Sequence, residues 1–102
     1  MGSKQIYRRY DHKKTTIADS ETDYEIMAND LNGRVKTIFF AQIINTGTSG
    51  DISVKFVSTD DTAIVLGPGE DIVMTDLLDW NYIYLTNASG AGIVYEAIVK
   101  GD

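Results

Sequence analysis

The sequence predicts an all-β fold: a single small β-sandwich or jelly roll of seven to eight antiparallel strands, with an extended N-terminal arm. Three observations predict it. Apolar residues recur with period two in short runs, the signature of strands with one buried and one wet face. Turn-forming clusters separate these runs at regular spacing, as in sandwiches and barrels. No stretch carries helical periodicity over a convincing length. With 102 residues, 43% of them apolar, the chain has room for one packed domain and is not disordered throughout. It has no cysteine, so neither a disulfide nor a thiolate metal site supports so small a fold. Oligomerisation is the remaining common remedy.

Two parts are distinguished by charge. Residues 1–14 form a basic arm with a net charge of +4; residues 15–102, the sandwich domain, carry −10. A basic arm on an acidic body attracts a neighbouring copy or another acidic partner. In the arm, Tyr7, Arg8, Arg9 and Tyr10 are the candidate partner-binding residues, because tyrosine and arginine are enriched at interfaces. Two plainer readings stand beside this one: an edge strand of the chain's own sheet, or a solvated tail.

Residues 15–18 read as a short strand, 19–23 as a polar turn, and 24–28 as a strand with Tyr24 and Ile26 on one face. Residues 29–33 contain Asn-Gly and read as a turn. Residues 34–58 read as two long strands joined by a small-residue turn, a hairpin in the middle of a sheet. Its second strand alternates cleanly, with Ile52, Val54 and Phe56 on one side. Its first strand is apolar on both sides: Val35, Phe39 and Ile43 on one, Ile38, Phe40 and Ile44 on the other. The first set joins Ile52, Val54 and Phe56 in the core. The second set needs another cover, so Ile38, Phe40 and Ile44 are the candidate oligomer interface.

Residues 63–66 form a brief strand, and Gly67-Pro68-Gly69-Glu70 favours a type II turn. Residues 71–74 form the next strand. Residues 75–80 read as a loop or single helical turn with Leu77 and Leu78 tucked in. Residues 82–87 are a strand with Ile83 and Leu85 on one face and Tyr82 and Tyr84 on the other. Residues 88–92 turn the chain into a last strand, 93–100.

The chemistry-bearing residues point away from catalysis. A metal oxygenase or cupin-type site wants two or more histidines and a carboxylate, and a serine nucleophile wants an oriented base. His12 is the sole histidine and sits in the basic arm. Asp19, Glu21 and Asp23 have the spacing of half a calcium loop but lack its glycine and distal glutamate. The glycines around Pro68 precede a strand rather than a helix and do not cradle phosphate. The acidic body disfavours nucleic acid. No apolar run approaches a membrane span, and the first residues lack a signal-peptide core. Asn87-Ala88-Ser89 fits a glycosylation sequon but reads more simply as a turn. The expectation is a non-enzyme with no cofactor and no metal. Trp80, Tyr82 and Tyr84 are the candidate carbohydrate-stacking residues, with Asp76, Asp79 or Asn81 to bind hydroxyls. The plainer reading has Trp80 plugging the end of the core.

The segment Asn45-Thr46-Gly47, the strand at 52–57, the Leu66-to-Glu70 turn and Ile83-Tyr84-Leu85 before Ala88-Ser89-Gly90 give a rhythm that resembles one family. It is similar to the small β-sandwich structural proteins of tailed-bacteriophage virions, including capsid decoration, or cement, proteins. The resemblance covers residues 35–100 in turns and strand rhythm, without a diagnostic signature. It implies a virion structural protein, made in the host cytoplasm and placed on the capsid surface. It implies a homo-oligomer, a trimer above others, that binds the major capsid protein or another virion protein and reinforces the shell. An N-terminal arm would reach the neighbouring shell subunit.

Overall fold

The computed structural model describes residues 9–31, 33–56, 62–75 and 82–102. These form β1 (Arg9–Ile17), β2 (Glu21–Glu25), α1 (Ile26–Asn29), β3 (Ile38–Asn45), β4 (Ile52–Lys55), β5 (Ile64–Leu66), β6 (Asp71–Thr75), β7 (Tyr84–Asn87) and β8 (Ile93–Gly101). The strands make two four-stranded antiparallel sheets, ordered β1-β8-β3-β6 and β2-β7-β4-β5. Two such sheets with crossed-over strand order are a jelly roll. The predicted all-β sandwich is borne out, and the strand order settles which sandwich it is.

The core lies between the sheets. Ile17, Ile43, Ile93, Tyr95, Ala97 and Val99 project from one, and Ile52, Val54, Leu66 and Leu85 from the other, all essentially removed from water. Of the expected inward set, Val35, Ile43, Ile52, Val54 and Phe56 are buried, as are Ile83 and Leu85, but Phe39 is not. The turn at Gly67–Glu70 forms as expected: Glu70 N donates to Gly67 O at 3.0 Å, and Gly69 adopts φ +81°.

The expected turn at 19–23 and strand at 24–28 are replaced by β2 over Glu21–Glu25 and α1 over Ile26–Asn29, where Glu25 caps the helical turn. Three further expectations need correction. The pair of strands in 34–58 is not a hairpin, because β3 and β4 lie in different sheets. Asn45, fully buried at the end of β3, redirects the chain. Its Oδ1 accepts from Gly47 N at 3.0 Å, and its Nδ2 donates to Gly50 O at 3.1 Å and Leu66 O at 2.9 Å. The intervening loop thus crosses the sandwich instead of reversing within a sheet. Each strand is nonetheless internal to its own sheet.

The boundary between arm and sandwich at residues 14 and 15 has no counterpart, since β1 runs through it. Residues 9–17 pair with β8 without interruption, from Arg9 opposite Gly101 to Ile17 opposite Ile93. Residues 9–14 are therefore an edge strand; residues 1–8 lie outside the described residues. A basic, polar edge blunts further strand addition, which explains a strand with so little grease.

Ile38 belongs to the core, not to the outer face with Phe40 and Ile44. The β3–β8 register shifts between Ile38 and Phe40: they oppose Gly101 and Lys100, so Phe39 is the extra residue of a bulge. Alternation slips by one position, and Ile38 and Ala41 both face inward while Phe39 is only half-buried. Gly101 permits the close approach, because a Cβ there would stand 1.8 Å from Thr37 O.

Candidate interaction surface

The outer face of the β1-β8-β3-β6 sheet follows from the strand registers. One row across it reads Tyr10, Lys100, Phe40, Thr75. The next reads His12, Ile98, Gln42, Val73, and the third Lys14, Glu96, Ile44, Asp71. Phe40, Ile44 and Ile98 are half-buried in the middle, Val73 is 46% exposed and Tyr10 is 52% exposed. The result is an apolar centre interleaved with charges of both signs.

These polar groups are locally organised. Lys100 Nζ sits 4.9 Å from the Phe40 ring centroid, a cation–π contact. His12 Nε2 lies 2.5 Å from Glu96 Oε2, and Gln42 Nε2 donates to Asp71 Oδ2 at 2.9 Å. The Tyr10 and His12 rings stack at 6.5 Å. Of the expected partner-binding residues, Arg9 and Tyr10 are exposed on β1, with Arg9 Nη1 donating to Arg34 O at 3.0 Å. Tyr7 and Arg8 lie outside the described residues. Of the expected oligomer interface, Phe40 and Ile44 share this face and Ile38 does not.

Ile98, Val73, Glu96 and Lys100 complete the surface, and sequence reasoning does not single them out. A signal exists: Ile93–Gly101 alternates large residues inward with Val94, Glu96, Ile98 and Lys100 outward, so β8, like β3, is apolar on both sides.

The outer face of the second sheet is different. Ser53 and Thr86 pair across β4 and β7, beside Lys55 and Tyr84. Lys55 Nζ pairs with Asp23 Oδ1 at 3.2 Å, and Asp23 N donates to Thr86 Oγ1 at 3.0 Å. A shallow depression at one end is lined by Gly50, Asp51, Ser53, Val65, Thr86, Ala88 and Ser89. At the other end Tyr82, half exposed, stacks on Tyr84 with centroids 6.3 Å apart and planes 9° apart. Burial, then the Glu25 charge, pushes the Tyr84 hydroxyl pKa upward. Trp80, Asp76, Asp79 and Asn81, the rest of the expected carbohydrate group, lie outside the described residues. Asn87 is buried and its Nδ2 donates to Ile17 O, Ala18 O and Ala91 O, which fixes it as the turn residue expected there.

A third polar tie joins the sheets, beside those of Asn45 to Leu66 O and Asn87 to Ile17 O. Tyr24 of β2 donates to Asp30 Oδ1 at 2.8 Å, and Tyr95 of β8 donates to Asp30 Oδ2. Asp30 is the C-cap of α1, whose N-terminus is capped by Glu25 accepting from Met27 N and Ala28 N. Burial first, and the Asp30 hydrogen bond second, push the Tyr24 hydroxyl up to about 12 and that of Tyr95 further in the same direction.

No protein-family model and no curated protein matches the chain. Solved structures do. A de novo designed double-stranded β-helix matches with TM-score 0.56 at 19% identity, over 87% of this chain and 96% of that one. A cupin-superfamily protein from Desulfitobacterium hafniense DCB-2 matches with TM-score 0.56 at 14% identity, over 100% and 84%. A protein of Bacillus endospore appendages, described as disulfide-linked pili, reaches TM-score 0.49 at 14% identity, over 99% and 95%. The first two define the class: a double-stranded β-helix, or cupin-like jelly roll. A metal within such a roll needs converging donors. Here the inward positions carry mainly Ile, Val and Leu, the buried Asn45 and Asn87 are spent on backbone hydrogen bonds, and His12 pairs with Glu96 on the outer face. Among the described residues, no three of His, Asp and Glu are grouped so as to hold a metal ion.

Proposed function

We propose that this chain is a non-enzymatic structural protein that works by assembly, and that its setting is a tailed-phage virion, as a capsid decoration or cement protein. The observation that carries the assembly role is the outer face of the β1-β8-β3-β6 sheet. Phe40, Ile44, Ile98 and Val73 give it an apolar centre, while the opposite side of the same strands already fills the core. The virion setting rests on the resemblance of turns and strand rhythm over residues 35–100. In this reading residues 1–8, with Tyr7 and Arg8, and the exposed Arg9 and Tyr10 grip the shell. Purified particles of the virus encoding the chain should contain it at a fixed ratio to the major capsid protein by mass spectrometry. Its absence from particles removes the virion role. Attachment is tested by deleting residues 1–8, which spares β1; deleting residues 1–14 would strip most of a core-bearing strand.

The stacked Tyr82–Tyr84 pair favours a second reading, a carbohydrate-binding module. A saccharide held by the chain on a glycan array and lost in Tyr82→Ala would put that reading first.

A further inference from the structure

We propose that the outer face of the β1-β8-β3-β6 sheet is a twofold interface between two copies of this chain. The dyad lies in the interface plane, perpendicular to the strands, at the level of His12, Ile98, Gln42 and Val73. The proposal rests on the reading of this face as the assembly surface, and adds the partner, the symmetry and the pairing.

The face is complementary to itself about that axis. A twofold contact places residue i on j and j on i. Rotation about this dyad leaves the middle row facing itself and exchanges the rows on either side. Lys100 of one copy then faces Glu96 of the other, and Glu96 faces Lys100. Phe40 faces Ile44, and Ile44 faces Phe40. Ile98 meets Ile98 at the centre. Both exchanged pairs lie on β8 and β3, the two inner strands. Sheets packed face to face are rotated by about 30°, which preserves register near the axis and loses it at the edges. The pairs that matter are thus those that the rotation spares.

The alternative dyad, parallel to the strands, lays β8 over β3. It sets the Glu96 carboxylate against Ile44, where a charge would be desolvated without a new partner. Its compensating pair, Lys14 with Asp71, falls on the two outer strands, where ion pairs contribute little. The perpendicular dyad is therefore favoured.

Area sets the strength. Strands about 4.8 Å apart and same-face residues about 6.8 Å apart give the three rows over four strands a patch on the order of 400 Å² per copy. About 800 Å² in total is the range of weak, transient association, so the dimer is in rapid exchange with monomer.

The test is sedimentation equilibrium of the full chain and outward-facing variants, each checked for fold by circular dichroism. The wild type should fit a monomer–dimer equilibrium that weakens as salt is raised. Lys100→Glu and Glu96→Lys should each weaken dimerisation by at least about tenfold, because each sets like charges together at both ends of the dyad. Mixed, the two variants should associate again as a heterodimer. The glutamate introduced in one copy then meets the lysine introduced in the other, and the native Glu96 and Lys100 that remain still face each other. Ile98→Glu should abolish association by facing its own copy on the axis. A wild type that stays monomeric, a trimer, or single variants that remain apart when mixed would overturn the proposal. A monomer found in purified particles would overturn the dimer and leave the virion role standing.

Discussion

The two sheets of this jelly roll have similar inner faces and unlike outer ones. Inward, both present Ile, Val and Leu at alternate positions. Outward, β2-β7-β4-β5 shows serine, threonine and the Lys55–Asp23 pair around Tyr84, with Val65 and Tyr82 exposed at its two ends. The β1-β8-β3-β6 sheet shows Phe40, Ile44, Ile98 and Val73 among Lys100, Glu96, Lys14 and Asp71. One face keeps its exposed apolar groups apart at its ends. The other gathers apolar side chains at its centre among charges of both signs. The difference teaches that in a fold this small, strands apolar on both sides gather an apolar centre on one outer face, which single exposed residues such as Val65 do not.

The largest effect should come from the boundary between those inner and outer faces on β3. Ile38→Ala removes a side chain 1% exposed in the core and should cost about 2–5 kcal/mol of unfolding free energy. Phe40→Ala, two residues along and on the outer face, should cost under about 1 kcal/mol, the loss of partial burial and of the Lys100 contact. Urea unfolding of dilute protein measures both. Equal costs, or the reverse order, would mean that the bulge at Phe39 does not form and that the two faces are exchanged along β3.

That pair also marks what is legible in the sequence. Strict alternation over residues 52–56 and 82–87 places Ile52, Val54, Ile83 and Leu85 correctly, because nothing interrupts the pleat there. Ile38 misleads because a bulge is set by the partner strand: Gly101, far along the chain, allows the approach that shifts the register. The hairpin reading fails for a related reason. Periodicity tells which side of a strand is greasy, not which strand lies beside it. β1 is hidden by its composition, since along Arg9–Ile17 only Ile17 is a buried apolar residue and Asp11 takes another buried position. Half of the proposed assembly surface is legible, in Phe40 and Ile44. The other half, on β6 and β8, requires the registers that bring Val73, Glu96, Ile98 and Lys100 beside them.

A smaller effect should come from the tyrosine tie between the sheets. Tyr24 belongs to one sheet and Tyr95 to the other, and both donate to Asp30. Each hydroxyl is held in its protonated form above the usual value near 10, first by burial and then by the Asp30 bond. Tyr84 is shifted in the same direction. A group whose folded-state pKa is raised contributes stability that is fully present below its unfolded pKa and lost as pH rises through the folded one. Below about pH 10 the tie is therefore intact. Between there and about 12, the value reached by Tyr24, the unfolded chain releases protons that the folded chain keeps, and stability falls. Melting temperature measured from pH 8 upward should be flat and then decline through this window. Tyr95→Phe should lower stability at neutral pH, by taking a donor from Asp30, and should make the alkaline decline shallower because one titrating group is gone. An alkaline decline as steep in Tyr95→Phe as in the wild type would show that the Tyr95 hydroxyl contributes nothing to it, and that the polar links between the sheets are those of Asn45 and Asn87.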